Sequence, residues 1–431
     1  MPNANTIAII GNGAAAIHAV MALRESGYQD SIHIFSDSIW PSYNPMLTTY
    51  FAAGKIPLEK CFPFGASFDF YRRYGVDLHL GSPVVKLDAA QQIVQTASGE
   101  SLQYSQCLIA SGAAPILPPI PGLDSPRVFT MRTIEDALRL KAALEYGPRK
   151  ALVVGASMVG IKVVELFYEA GLEVCLADLA SQVFPLAAHP DCARLIEDYL
   201  AEKAIRLRLG AGLRGIETSA GGIKAYFSDN GPPKLADLVV ICIGVRPNLQ
   251  FIDPDQIAVD KGIIVDDHMR TSAPNIYAAG DVAQVTNLLT GGKEVIGLWA
   301  NARYQGRTAG RKMAGLEDLY PGSIPHNITH FFDMVFAGIG DVRSGDYEEK
   351  AWKGDTYCHL VMRAGRLVGV NLLNCSPAAG ILKQLILKGL NVPGSIKQEI
   401  SLQAYLRDNL PGLVKIFNNP ITKGNGGIGH E

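Results

Sequence analysis

Two short glycine-rich stretches carry the clearest chemistry in this sequence. Gly11-Asn12-Gly13-Ala14-Ala15-Ala16 follows the apolar run Thr6 to Ile10 and opens a helical pattern, matching G-x-G-x-x-G/A. Gly11 allows the tight turn, Gly13 lets a pyrophosphate approach the backbone, and Ala16 permits close helix–strand contact. The free N–H groups of Ala14 and Ala15 and the positive end of the helix dipole would face the phosphates. Asp37 follows the next strand, 21 residues after Ala16, where a carboxylate can bind a ribose hydroxyl. A glycine-rich turn with a surface Asp is the plainer alternative.

The second copy is Gly155-Ala156-Ser157-Met158-Val159-Gly160, with serine in place of the middle glycine. Its β-carbon stands where a pyrophosphate would come closest, so dinucleotide binding there could be shifted or weakened. Asp178 ends the following strand, 18 residues after Gly160. A carboxylate there accepts from a ribose diol and repels a 2′-phosphate, which favours NAD over NADP. A decayed nucleotide fold is the alternative. A third signature is the eleven-residue stretch Thr271 to Asp281, ending in Gly280-Asp281 before a helix. By itself Gly-Asp is a turn and a helix cap; in its full context Asp281 is expected to meet the ribityl chain of a flavin.

Other chemistries are excluded or disfavoured by composition and spacing. The seven cysteines lie at least seventeen residues apart, so there is no C-x-x-C, zinc knuckle or iron–sulfur run. No Ser-His-Asp order, paired carboxylates or metal-ligand spacing stands out, and no metal is expected. His326 and His330, four apart, could share a helical face but read as interface or packing residues. Lys plus Arg (39) nearly balances Asp plus Glu (41), which argues against a nucleic-acid binder with a basic face. Apolar runs such as Leu238 to Val245 fall far short of the ~18 residues that a membrane helix needs. No secretory signal is expected, because Thr6 to Ile10 already reads as a first strand running into a glycine turn. The expectation is a cytoplasmic protein with reduced thiols.

The elements that must position these groups are legible in outline. At 431 residues and 48% hydrophobic, the chain has the length of about three domains. Strands are expected at Thr6 to Ile10 and Ser31 to Ser36, with a helix from Ala14 to Ser26 between them. Val84 to Leu87, Gln92 to Ala97 and Leu102 to Ile109 read as short antiparallel strands. Pro115, Pro118, Pro119 and Pro121 with Gly122 break regular structure. The pattern then repeats: strand Lys150 to Val154, helix Met158 to Ala170, strand Glu173 to Asp178, and a closing run Leu235 to Ile243. A helix is expected around Ala300 to Ala314. Strands Tyr357 to Arg363 and Val368 to Leu373 precede a helix from Ala378 to Leu387. The end, Lys423 to Glu431, has four glycines in nine residues and reads as mobile.

These motifs together resemble the two-dinucleotide-binding flavoproteins, the pyridine nucleotide–disulfide oxidoreductases. The likeness covers roughly residues 5 to 320 and falls in the branch of ferredoxin, rubredoxin and nitrite reductase flavin modules. Leu108 to Pro115, containing Ser111 and Gly112, looks like the family's second flavin stretch. Ile243 to Asn248, containing Gly244, looks like the return to the flavin domain. Trp299 to Gly306, with Ala302 and Gln305, is similar to the helix that approaches the isoalloxazine ring. The resemblance implies an α/β fold with two Rossmann-like domains, for FAD and NAD, and a C-terminal α+β interface domain. The boundaries expected are 1–117 and 246–322 for FAD, 118–245 for NAD and 323–431 for the interface domain. The family is often dimeric.

The departures matter too. Relatives carry a C-x4-C pair or a single Cys near the position of Tyr43 to Pro45, where this chain has Tyr43-Asn-Pro-Met-Leu-Thr48. Cys61 is the nearest thiol, so disulfide, coenzyme A disulfide and cysteine-dependent peroxide chemistry are disfavoured. Lys162 stands where relatives commonly have Glu near the nicotinamide. It reads either as a solvent-facing helical lysine or as a charge that raises the flavin potential. A flavin facing a nicotinamide exchanges a hydride, and without a protein thiol an iron–sulfur partner is the natural onward carrier. The chain looks most like the flavin subunits of NADH-dependent phenylglyoxylate dehydrogenases, implying a hetero-oligomer. A stand-alone rubredoxin or ferredoxin reductase or NADH oxidase, and a non-catalytic nucleotide-binding subunit, are the alternatives.

Overall fold

The computed structural model describes residues 5–219 and 221–389. The glycine-rich end, Lys423 to Glu431, lies outside the described residues. The chain divides into two compact units, Met1–Val183 with Glu197–Ile324, and Phe184–Ile196 with Pro325–Glu431.

The first unit contains two parallel five-stranded sheets built on the same plan. In one, Ile7–Ile10 lies between Ile32–Phe35 and Gln106–Ile109, with Val76–His79 and Ile276–Ala278 at the edges. In the other, Lys150–Val154 lies between Glu173–Ala177 and Leu238–Ile241, with Arg206–Arg208 and Val128–Phe129 outside. The central strands are buried along nearly their whole length, as expected for parallel strands covered on both faces. Each is followed by a glycine turn and a twelve-residue helix, Ala14–Glu25 in the first case and Met158–Glu169 in the second. This is a mixed α/β fold with two Rossmann-like sheets.

Two antiparallel connecting strands, Ala113–Pro115 and Val245–Pro247, join the two halves of the unit. The expected strand Leu102 to Ile109 is divided. Ser101–Gln103 completes a three-stranded antiparallel sheet with Val84–Asp88 and Ile93–Thr96, while Gln106–Ile109 enters the large parallel sheet. Ser105 makes the break, because its N–H and hydroxyl both donate to the carbonyl of Thr6. The closing run Leu235 to Ile243 divides in the same way. Lys234–Ala236 pairs with a hairpin strand, and Leu238–Ile241 with the parallel sheet.

In the second unit, a five-stranded antiparallel sheet is ordered His326–Phe331, Met334–Gly340, Arg366–Leu373, Thr356–Arg363 and Tyr347–Lys353. Helix Ser376–Lys388 follows it. His326 and His330 therefore lie on a strand rather than a helix. Their spacing of four also places them on one face of a strand, where side chains repeat every two residues.

Candidate dinucleotide sites

Gly11 has φ +106°, and a Cβ there would sit 2.2 Å from the carbonyl oxygen of Ala110. Only glycine fits between the turn and the neighbouring strand. Gly13 is different: it caps the helix in an extended conformation, and a Cβ there would meet nothing within 4 Å. Open space thus lies directly before the first turn of the helix, which has no side-chain cap. The N–H groups at that end have no intrahelical partners and point to where an anion would bind. Ala14, Ala15 and Ala16 are buried and let the chain pack closely. Asp37 is exposed just beyond strand Ile32–Phe35.

The second turn repeats this geometry in spite of its serine. Gly155 has φ +113°, and a Cβ on Gly160 would lie 1.8 Å from the Gly155 carbonyl oxygen. Ser157 caps helix Met158–Glu169 by position but gives it no side-chain hydrogen bond. Its hydroxyl instead donates to the carbonyl of Cys242 at 3.0 Å. The helix end therefore remains open, as at Gly13. Val159 is exposed and Met158 half-buried in the first turn. Asp178 accepts from the backbone N–H of Ala156 at 2.6 Å and of Ala180 at 2.7 Å, one bond on each carboxylate oxygen. It ties the glycine turn to the end of strand Glu173–Ala177 and keeps lone pairs for a further donor.

The third set converges from distant positions. Ser111 donates to the carbonyl of Asn248 at 3.0 Å, Asn248 returns a side-chain bond to the carbonyl of Ser111 at 2.9 Å, and the Asn248 N–H donates to Gly112. Gly244, exposed with φ +117°, ends the paired connecting segment. The Gly280 N–H donates to the buried Gln305 side chain at 2.7 Å. Asp281 forms an ion pair with Arg132 at 2.7 Å, with the two side chains 21% and 27% exposed. Arg132 was not singled out by sequence reasoning. The nearby signal is the capping box that begins with Thr133 and starts helix Ile134–Glu145.

Lys162 is not solvent-facing. Its side chain is 11% exposed, its ammonium lies 4.6 Å from the centre of the Tyr50 ring, and it pairs with Glu165. Glu165 also accepts from Lys55 at 3.2 Å, and Lys55 reaches Glu169 at 2.8 Å. Burial would lower the Lys55 amine, but Glu169 and Glu165 outweigh it and hold the group above its ordinary range.

Cys61 comes close in space to the segment Tyr43 to Thr48, its Sγ 3.8 Å from the Leu47 carbonyl. It is fully buried, and burial, with Glu59, raises its thiol pKa. Cys242, behind the second glycine turn, is pushed up to about 12 by burial. Neither is a thiolate at neutral pH, the form that a redox thiol requires. Among the described residues one group, His189, Glu348 and His359, brings metal-ligand types together. There the Lys350 ammonium already lies 3.3 Å from Glu348, and Nδ1 of His189 accepts from the Asp191 N–H.

Comparison with known proteins agrees with this geometry. The family described as pyridine nucleotide-disulphide oxidoreductase matches residues 5–306. The chain belongs to this family, and is an oxidoreductase that uses FAD and NAD(H). It is 30% identical over 388 residues to the epsilon subunit of NADH-dependent phenylglyoxylate dehydrogenase from Aromatoleum evansii, covering 88% of this chain and 91% of the relative. It is 26% identical to the rubredoxin-NAD(+) reductase of Pseudomonas putida, covering 87% of this chain and 97% of that one. In fold it is similar to putidaredoxin reductase in its covalent complex with putidaredoxin. The TM-score is 0.85 at 24% identity, over 95% of this chain and 99% of the other. Among the described residues no helix is long and apolar enough to cross a membrane.

Proposed function

We propose that this chain moves electrons between NAD(H) and an iron–sulfur partner through FAD, as the NAD+-reducing subunit of a 2-oxoacid dehydrogenase complex of the phenylglyoxylate type. The observation that carries this reading is a pair of open helix N-termini, each behind its own glycine turn and parallel sheet, with the nearby thiols Cys61 and Cys242 both buried and raised in pKa by that burial. The subfamily assignment is supported by the 30% identity, which extends over nearly the full length of both chains.

In this reading residues 1–117 and 246–322 hold FAD, 118–245 hold NAD, and 323–431 form an interface domain. Gly11, Gly13 and Ala14 to Ala16 receive the FAD pyrophosphate, and Asp37 its adenosine ribose. Ser111, Gly112, Gly280 and Asp281 line the path toward the flavin. Gly155, Ser157, Met158, Val159 and Gly160 receive the NAD pyrophosphate. Asp178 takes the ribose diol, and Gly244 borders the nicotinamide half. Bound together, the two cofactors supply hydride exchange between nicotinamide and flavin. The chain's own work is to seat them, to exclude water and to fix charges nearby, with Lys162 as a positive charge near the flavin.

The test is purification from the native source, with identification of every bound chain and cofactor. A yellow protein bleached by NADH and accompanied by iron–sulfur subunits is the expected result. A colourless protein overturns the flavin reading. A yellow protein that reduces rubredoxin, oxygen or quinone unaided favours a stand-alone reductase.

A further inference from the structure

The side chains around Lys162 alternate in charge. Lys162 pairs with Glu165, Glu165 with Lys55, and Lys55 with Glu169, and the series runs from the buried helix face to partly exposed positions. Glu165 is its pivot: its side chain is 5% exposed, and one carboxylate oxygen serves each lysine. A cavity of about 10 Å³ adjoins Thr49, Tyr50, Lys55, Lys162 and Glu165, close to the size of one water. A carboxylate is costly to bury, and pairing with two ammonium groups offsets that cost.

We propose that Glu165 is a positioning residue for the flavin reaction. It holds the Lys162 ammonium over Tyr50 and sets how much of that positive charge reaches the flavin. This rests on the assignment of Lys162 made under the proposed function. Lys162 therefore acts as a member of a group of alternating charges rather than as a lone cation. Charge at these distances and depths is weakly screened, so changing one member changes the field at the others.

The experiment is a reductive titration of the FAD-loaded protein, with circular dichroism and flavin content as controls for folding. Lys162→Met should lower the flavin midpoint potential and Glu165→Gln should raise it. Each change should be about tenfold in the ratio of reduced to oxidised flavin at fixed poise, about 30 mV for a two-electron couple. Glu165→Asp should restore the parent value. Lys55→Met gives a second route, since it removes one of the two ammonium groups paired with Glu165 and should lower the potential. If Lys162→Met shifts the potential but Glu165→Gln and Lys55→Met do not, Glu165 has no such role and the Lys162 assignment survives. If none of the three shifts it, the Lys162 assignment fails and this inference with it.

Discussion

The hydroxyl of Ser157 donates to the carbonyl of Cys242, joining residues 85 positions apart at the mouth of the second glycine turn. This bond explains how a serine can occupy a position that usually calls for glycine. A cap residue ordinarily turns its oxygen toward the N–H groups of the helix it starts. Ser157 turns away, and its helix keeps the donors that an anion needs.

Two substitutions should therefore separate space from charge at this position. Ser157→Gly should leave the KM for NADH within about threefold of the parent, because the hydroxyl already points to Cys242 and away from the helix N–H groups. Ser157→Asp should raise that KM by roughly tenfold or more, because its carboxylate would compete for the helix N–H groups and repel a pyrophosphate. Flavin content should be unchanged in both. A large loss of affinity in Ser157→Gly would mean that the bond to Cys242 shapes the turn itself.

The first turn makes a complementary prediction. Gly13→Val adds atoms into open space, so apoprotein should fold with an unchanged melting temperature yet bind little FAD. Gly11→Ala drives a Cβ into the Ala110 carbonyl and requires a positive φ, so it should destabilise the protein by about 1–3 kcal/mol or prevent folding. Flavin absorbance together with thermal melts distinguishes the two outcomes. Full FAD occupancy in Gly13→Val would remove the first turn as the pyrophosphate site.

What the sequence made legible was whatever a residue type alone must satisfy. Gly11 and Gly155 stand at positions that only glycine can fill, and residues 7–10 and 151–154 are apolar on both faces. Partners far apart in the chain were not legible. Arg132 meets Asp281 across 149 positions, and Lys55 meets Glu165 across 110. No local pattern announces either pair. The break at Tyr104-Ser105 was also hidden, because neither residue is a Gly or Pro and the turn is made by bonds to Thr6. Helix Pro190–Glu202 went unread, although a proline is favoured in a first helical turn. Cys61 is a further case: its distance along the chain concealed its closeness to Leu47, while its burial agrees with the reading of a packed thiol.

Asp178 is tied to the glycine turn through Ala156 and is also the residue proposed to take the ribose diol, so its removal should act in two ways. Asp178→Ala should raise the KM for NADH by about tenfold, the scale of losing a charged hydrogen bond. It should also narrow the preference for NADH over NADPH, because the repulsion of a 2′-phosphate is gone. Steady-state kinetics with both nucleotides measures the two effects. A raised KM with an unchanged preference would leave Asp178 only its role in shaping the turn.

The ion pair between Asp281 and Arg132 predicts asymmetry between its partners. Asp281→Ala leaves a partly buried guanidinium unpaired and removes an acceptor from the proposed flavin path. Arg132→Gln leaves Asp281 to the solvent that reaches it. Asp281→Ala should therefore lose FAD more readily on gel filtration than Arg132→Gln. Equal retention by both variants and the parent would take Asp281 out of the flavin site.

His359 makes stability in the second unit depend on pH. Its side chain is fully buried, its Nε2 lies 3.2 Å from Glu348, and the His189 ring stands perpendicular to it at 4.3 Å. Burial above all, with His189 and Lys350 adding to it and Glu348 opposing, lowers its pKa to about 4. The unfolded chain, near the ordinary value of about 6.5, binds the proton more readily. Stability is therefore complete above about pH 6.5 and falls as the pH drops from there toward 4. Between about pH 7.5 and 5.5, above the range where carboxylates titrate, the loss should be about 1 kcal/mol. Urea unfolding at the two pH values measures it, and His359→Gln should flatten the difference. Equal slopes in parent and variant would show that His359 gains a proton in the folded protein as easily as in the unfolded chain.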